Sequence, residues 1–151
     1  PQIRIFVREQ MVKQIEELYG RPDIVAGVAT GAIGIGMLVA DLMNLPFIYV
    51  RPSSKKHGRK NQIEGQYSKS QKVVVIEDLI STGNSSLMAV DALREEELIV
   101  KGMISIFTYV FIVERDTNAV DHIGVLVISG KLSFCKDWIS PLDRTALGEC
   151  R

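Results

Sequence analysis

The sequence predicts an α/β protein in which a parallel, twisted sheet is flanked by helices. Short runs of β-forming apolar residues, such as DIVAGVA at 23–29 and VVVI at 73–76, alternate with segments of helical periodicity. Strands of a parallel sheet are buried on both faces and therefore read as continuous apolar runs. Two of these runs lead directly into loops of small residues. Such loops are expected where an open α/β sheet binds ligands, at the carboxyl ends of its strands.

The first half of the chain alternates helix, strand, helix and strand. An amphipathic helix is predicted over residues 3–19, because apolar residues recur there at helical spacing, namely Val7, Met11, Ile15 and Leu18. Gly20 and Pro22 end it. The segments that follow are a strand at 23–29, a turn at 30–34, a helix at 35–44 and a strand at 46–50. This order is typical of a parallel α/β sheet.

The second half opens with a long polar segment, residues 51–72, which is basic in its first part. A loop of this length in a compact domain is usually functional or disordered. After it we predict a strand at 73–76, a helix at 86–98, a strand at 102–111, a weak helix at 112–121 and a last strand at 123–128. From about residue 129 neither period is clear, which indicates a tail. No linker is visible, so residues 1–151 are interpreted as one domain.

Composition narrows the function classes. The chain has 18 basic and 18 acidic residues and no net charge, which argues against a nucleic-acid or membrane-surface binder. No apolar run is long enough to predict a membrane span. The chain has two cysteines, Cys135 and Cys150, and they form no CxxC pair, so no zinc site is expected. So few cysteines are typical of a reducing compartment, and we expect a cytoplasmic location. Because the chain begins at Pro1 within a helical pattern, we expect further sequence upstream.

Residues 73–86, VVVIEDLISTGNSS, carry the clearest chemical pattern. Glu77 and Asp78 follow the predicted buried strand, and a hydroxyl-rich loop at 81–85 leads into the next helix. A tight loop that enters a helix directs backbone N–H groups and the positive end of the helix dipole toward one point, which suits a phosphate. The two carboxylates lie one loop-width away, where they can hold hydroxyls or a hydrated magnesium ion. A phosphate beside a diol describes a ribose 5-phosphate.

Two further loops can bind anions. Residues 30–34, TGAIG, join a strand to a helix, and glycine there lets the backbone approach a ligand closely. The basic part of the 51–72 segment contains six cationic or titratable side chains, Arg51, Lys55, Lys56, His57, Arg59 and Lys60. Cations in such a loop can stabilise negative charge that develops on a departing anionic group. A mobile loop can also exclude water from a reactive centre.

The 73–86 stretch resembles the phosphoribosyl pyrophosphate signature of type I phosphoribosyltransferases: four apolar residues, two acidic ones, two apolar ones and a Thr/Ser-rich loop with glycine. Three further segments restrict the resemblance to one family within this group, namely YVR at 49–51, KKHG at 55–58 and NQIEG at 61–65. Together with VVVIEDLIST they resemble the bacterial orotate phosphoribosyltransferase family over residues 23–109.

This resemblance implies a reaction. The chain would transfer ribose 5-phosphate from phosphoribosyl pyrophosphate to orotate, giving orotidine 5'-monophosphate and pyrophosphate with Mg²⁺ as cofactor. Catalytic roles are implied for Lys55, His57 and Asp78. The implied substrate-binding residues are Thr30, Gly31, Arg51, Lys55, His57, Glu77, Asp78, Leu79, Ile80, Ser81, Thr82, Gly83, Asn84 and Ser85. No side chain would ligate the magnesium directly, because substrate and water would hold it near Glu77 and Asp78.

The resemblance also implies a homodimer, in which the Lys55 loop closes over the neighbouring subunit's active site, and places orotate beside Ser81. Asn84 stands where the family usually has a second glycine, and we expect it to tolerate a positive φ there. The family's upstream segment, which covers the site, is missing from this sequence. Three alternatives stay open: a regulatory domain that binds phosphoribosyl pyrophosphate, an inactive truncated domain, and a phosphoribosyltransferase for another base.

Overall fold

The computed structural model describes residues 1–52 and 62–108, and the backbone of residues 123–125. Its elements, in chain order, are α1 (Gln2–Tyr19), β1 (Ile24–Val28), α2 (Ala32–Met43), β2 (Phe47–Val50), β3 (Ile63–Glu64), β4 (Lys72–Ile80), α3 (Asn84–Glu95), β5 (Ile99–Thr108) and β6 (Ile123–Val125). The predicted helix at 112–121 and the tail from about residue 129 lie outside the described residues.

Across these described ranges, the strands form one six-stranded sheet in the order β3-β2-β1-β4-β5-β6. Neighbours from β2 to β6 pair in parallel, and the two-residue β3 pairs antiparallel with β2 at the edge. The parallel α/β sheet predicted from the sequence is therefore confirmed. In the part of the chain that the structure describes, no helix combines the length and apolar character needed to cross a membrane.

Two apolar clusters, one on each face of the sheet, hold the helices in place. On one face α1 and α2 pack against Val25, Val74 and Ile104, while on the other face α3 packs against Val73 and Met103. Consecutive residues of the central strands thus enter opposite clusters, which is why β1 and most of β4 read as unbroken apolar runs. Burying each such side chain stabilises the fold by roughly 1.5–3 kcal/mol.

Helix α2 approaches β1 closely because two glycines face the ring of Phe47. A Cβ placed on Gly36 would lie 2.7 Å from Phe47 Cε2, and one on Gly27 would lie 2.9 Å from the Ala32 carbonyl oxygen. Glycine inside a helix costs about 1 kcal/mol relative to alanine. Close packing of α2 on the sheet explains Gly36 despite this cost, and it brings the first turn of α2 beside the carboxyl edge of β1.

Several boundaries differ from the sequence prediction. Strand β4 does not end before Glu77 but continues to Ile80, because β5 supplies backbone partners for Glu77, Leu79 and Ile80. Both site helices begin earlier than predicted, at Ala32 and at Asn84. Strand β3 lies inside the 51–72 segment that was interpreted as a loop. It is only two residues long, so no periodicity revealed it, and its pairing with β2 creates it.

Candidate active site

The candidate site lies at the carboxyl edge of the central strands. Strands β1 and β4 are neighbours in the sheet, with Gly27 opposite Ile76, and each leads through a short loop into a helix on a different face. The first turns of α2 and α3 contain no acidic residue, and neither N-cap residue makes a side-chain capping hydrogen bond. The positive ends of two helix dipoles therefore point toward the same edge, an arrangement that favours an anion.

The loop at 81–83 turns from β4 into α3 through Gly83. This glycine is the N-cap of α3 and has φ 77°, in the left-handed region that favours glycine. Ser81, Thr82, Asn84 and Ser85 are exposed around it. Asn84 has no positive φ, so the turn does not use the tolerance that was expected of this residue. The turn needs the left-handed conformation only at Gly83, and Asn84 is the first residue of the helix.

The two adjacent carboxylates of β4 have different surroundings. Glu77 is 3% exposed and lies on the α3 side, where its Oε2 accepts a hydrogen bond of 3.1 Å from the Ser86 hydroxyl. Its Oε1 accepts one of 3.2 Å from the Asp78 N–H. Asp78 is half-buried and lies against Gly31 at the start of α2. The pair therefore connects the two loops, with one carboxylate contacting each site helix.

Burial raises the pKa of Glu77 from 4.5 to about 7, and the Asp78 carboxyl beside it contributes to the rise. The hydrogen bonds donated by Ser86 and by the Asp78 N–H act in the opposite direction, because they stabilise the ionised form. Near neutral pH Glu77 is therefore partly protonated.

Gly31 allows the Asp78 carboxylate to reach the first loop. A Cβ on Gly31 would overlap both carboxylate oxygens of Asp78, although the glycine itself has an ordinary helical φ of −63°. Glycine is thus required here for space and not for backbone conformation. The preceding residue, Thr30, is exposed and follows a cis peptide bond from Ala29.

Arg51 follows β2 at the same edge. Its guanidinium Nη1 lies 3.4 Å from the Glu64 carboxylate of β3. The backbone N–H of Arg51 donates a hydrogen bond of 2.8 Å to the Gln62 carbonyl. The adjacent Val50 accepts a hydrogen bond of 2.8 Å from the Ala29 N–H, so the end of β2 lies directly beside the first loop. Arg51 is about one-third exposed in its side chain, which leaves it accessible to an anion.

The structure therefore brings together at one edge most of the residues that the sequence singled out. Thr30, Gly31 and Arg51 lie on the β1–β2 side, and the 77–85 stretch lies on the β4 side. Lys55 and His57 lie outside the described residues. Sequence reasoning missed the roles of Ser86 and Glu64 as hydrogen-bonding partners of Glu77 and Arg51. Both lie in segments that the resemblance covered, but only packing reveals what each side chain contacts.

Carboxylates suitable for magnesium are few at this edge of the described residues. Among the residues that the structure describes, no cluster of three or more His, Cys, Asp or Glu side chains could enclose a metal ion. Mg²⁺ commonly keeps several waters and binds through one or two carboxylates together with substrate phosphates. A half-buried Asp78 beside the N-termini of α2 and α3 fits that mode of binding through water and substrate.

Comparison with known proteins gives the same picture. The family model of the phosphoribosyl transferase domain matches residues 1–128. Among curated relatives, the orotate phosphoribosyltransferase of Bacteroides thetaiotaomicron is 52% identical over 116 residues, which cover 77% of this chain and 55% of the relative. The chain thus spans about half the length of the curated relatives it matches.

Solved structures resemble the same core. An orotate phosphoribosyltransferase from Aeropyrum pernix superposes with a TM-score of 0.56 and 31% identity, covering 66% of this chain and 58% of that one. Adenine phosphoribosyltransferase from Saccharomyces cerevisiae gives a TM-score of 0.71 at 20% identity, covering 84% of this chain and 80% of that one. At that identity the yeast enzyme supports the fold alone.

Proposed function

We propose a function from the premise that this chain belongs to the phosphoribosyl transferase domain family. It acts as an orotate phosphoribosyltransferase, transferring ribose 5-phosphate from phosphoribosyl pyrophosphate to a ring nitrogen of orotate and releasing pyrophosphate. The observation that carries the proposal is the β4–α3 connection, in which the glycine turn at Gly83 and the start of α3 lie beside Glu77 and Asp78. Orotate is chosen as the base because the curated relatives at 52% identity carry that name.

The 5-phosphate is assigned to the loop at 81–85 and the start of α3. Backbone N–H groups at a helix N-terminus bind anions, and no acidic side chain in the first turn opposes a phosphate here. The hydroxyls of Ser81, Thr82 and Ser85 are exposed around this turn and can donate to phosphate oxygens. Leu79 and Ile80 complete the edge between the phosphate loop and the acidic pair.

The ribose hydroxyls are assigned to the acidic pair. Asp78 is the more accessible carboxylate and accepts the hydroxyl hydrogen bonds most directly. Glu77 supplies the remaining lone pairs, since each carboxylate oxygen can accept two hydrogen bonds and each already accepts one. Mg²⁺, held through pyrophosphate oxygens and water near these carboxylates, would supply charge neutralisation on the leaving group.

The pyrophosphate is assigned to the first loop and to cations around it. Thr30 and Gly31 present backbone at the start of α2, and Arg51 lies beside them at the end of β2. Lys55 and His57 stay predictions of the sequence, in which they follow the departing pyrophosphate. Glycosyl transfer develops oxocarbenium character at the sugar, so the protein contributes positioning and leaving-group stabilisation without a covalent nucleophile. The cytoplasmic location and the homodimer also stay predictions.

Product formation tests the function. With phosphoribosyl pyrophosphate, orotate and Mg²⁺, the chain should release pyrophosphate and form orotidine 5'-monophosphate, and adenine should not replace orotate. Binding of phosphoribosyl pyrophosphate without turnover would favour a regulatory domain, and neither binding nor turnover would indicate an inactive one. Turnover with adenine and none with orotate would overturn the choice of base.

Asp78→Asn is expected to weaken phosphoribosyl pyrophosphate binding by roughly tenfold or more, because hydrogen bonds to a charged acceptor contribute about 1.5–3 kcal/mol. Calorimetry with Mg²⁺ present measures the change. Asp91→Asn is the control, because Asp91 is exposed on α3 away from this edge and its replacement should leave the affinity unchanged. Unchanged affinity in Asp78→Asn would remove this carboxylate from the proposed site.

Gly31→Ala is expected to weaken the same binding by about tenfold with little loss of stability. The new methyl group would displace the Asp78 carboxylate, which can rotate away, while the helical backbone at Gly31 accepts alanine. The free energy of unfolding should therefore change by less than about 1 kcal/mol. Calorimetry and urea denaturation measure the two effects.

Gly34→Ala is the matched control for this substitution. Gly34 is three residues further along α2, and a Cβ there has no neighbour within 4 Å. Alanine at this helical position should leave ligand affinity unchanged and raise stability by about 0.5–1 kcal/mol. Equal affinities for the two variants would contradict the assigned contact between Gly31 and Asp78.

A further inference from the structure

The phosphate loop, residues 81–85, is largely exposed. Four of its residues, Ser81, Thr82, Asn84 and Ser85, are exposed, so burial does not determine the path of the chain between β4 and α3. Its shape must therefore be set largely at its two ends. On the strand side, the Thr108 hydroxyl donates a hydrogen bond of 3.1 Å to the Ile80 carbonyl and fixes the end of β4 to β5.

On the helix side, the loop is joined back to the strand by a buried side-chain pair. Ser86 is 4% exposed and Glu77 3%, and the Ser86 hydroxyl donates to Glu77 Oε2 across a separation of nine residues. Glu77 Oε1 is occupied by the Asp78 N–H. Both carboxylate oxygens are thus held, and the hydrogen bond from Ser86 spans the loop.

We propose that Ser86 is a positioning residue whose hydroxyl, together with the Glu77 carboxylate, forms a clasp that holds the phosphate loop in its binding shape before ligand arrives. This inference rests on the proposed function for the role of the loop. Preorganising a loop raises affinity because less ordering remains to be done on binding. The clasp also sets the distance between the acidic pair and the first turn of α3, and therefore between the ribose and phosphate ends of a ligand.

Ser86→Ala removes the clasp and leaves one oxygen of a buried carboxylate without its donor. Hydrogen bonds to charged groups typically change an equilibrium by roughly tenfold or more. We expect affinity for ribose 5-phosphate to fall by about tenfold. The first turn of α3 should also open more readily. Its reporter is the Leu87 amide, which donates to the Gly83 carbonyl at 2.9 Å, and its hydrogen exchange in the ligand-free chain should be about tenfold faster.

Two variants separate positioning from general stability. Ser86→Thr keeps the hydroxyl and should restore both the exchange rate and the affinity. Ile15→Val removes one methyl group from a fully buried side chain of α1, which packs on the sheet face opposite α3. It should lower stability while leaving Leu87 exchange and ligand affinity near those of the unsubstituted chain. If Ser86→Ala does not fold, Ser86→Cys replaces it, since a thiol fills the space but donates weakly.

The measurements are amide exchange by NMR without ligand and titration with ribose 5-phosphate, both on the 151-residue chain. Faster Leu87 exchange and weaker binding in Ser86→Ala, both restored by threonine, would support the clasp. Unchanged Leu87 exchange in Ser86→Ala would overturn it, as would equal effects from Ile15→Val. If the unsubstituted chain binds no ribose 5-phosphate, the proposed function fails, and the exchange rates then decide separately whether the clasp holds the loop.

Discussion

Replacing Lys55 with alanine is expected to slow product formation by roughly 10²–10³-fold, the loss typical of removing one preorganised donor in a transition state. Lys55 follows two serines and stands beside His57 in the basic loop, and its ammonium is a compact charge on a flexible stem. If its contact with pyrophosphate strengthens as charge develops, kcat should fall far more than substrate affinity does. Steady-state kinetics measures both quantities.

Lys56→Ala is the control, because Lys56 has no counterpart in the family motif. Equal losses from the two variants would mean that the loop acts through its total positive charge. The assay needs a form of the chain with measurable turnover, extended upstream if the 151-residue chain has none.

The same variant tests whether sites are shared between subunits. In a homodimer whose Lys55 loop serves the neighbouring subunit, mixing Lys55→Ala with Asp78→Asn chains creates heterodimers with one intact site. Random pairing should then restore about a quarter of the original activity, since half of the dimers are mixed and each has one working site of two. No recovery in a mixture that sediments as dimers would place each loop over its own subunit's site.

Replacing Glu77 with glutamine is expected to change how stability depends on pH. The pKa of Glu77 is raised from 4.5 to about 7 in the folded chain, first by burial and then by Asp78. Between these two values the folded protein keeps a proton that the unfolded chain releases, so the free energy of unfolding falls as pH rises through this window. The full loss is about 3 kcal/mol, from about 1.4 kcal/mol per pKa unit.

Glutamine removes this titration, and its amide can still form a hydrogen bond with Ser86. The stability of Glu77→Gln relative to the unsubstituted chain should therefore rise by about 2–3 kcal/mol between pH 4.5 and pH 8. Urea denaturation in metal-free buffer at several pH values measures the difference. Glu95→Gln, at the exposed end of α3, is the control. Its curve of stability against pH should run parallel to that of the unsubstituted chain. A parallel curve for Glu77→Gln would show that Glu77 titrates alike in both states.

Much of the fold could be predicted from local sequence. The runs IVAGV and VVVI can bury their side chains on both faces only between two apolar layers. They therefore indicate central parallel strands even before the neighbouring strands are known. The turn at Gly83 is similarly local, because a positive φ in a sharp strand-to-helix turn favours glycine. The phosphate loop and the acidic pair were therefore visible in the chain alone, as was their likeness to a family.

Other features depend on partners that are distant in sequence. Strand β4 continues past Glu77 because β5 supplies hydrogen-bonding partners, and β3 exists because β2 pairs with it. No local pattern predicts either, since backbone hydrogen bonds across a sheet do not depend on side-chain periodicity. The pairing of Arg51 with Glu64 follows from the same hairpin-like contact.

The sequence by itself thus determined the α/β class, the central strands and the location of the candidate site at residues 77–85. Tertiary structure alone decided how the two carboxylates differ. Glu77 is buried against Ser86, which raises its pKa, whereas Asp78 remains half-exposed against Gly31. The physical reason is that burial and hydrogen-bonding partners are set by packing of α2 and α3 on opposite faces of the sheet, and adjacent residues of one strand project toward opposite faces.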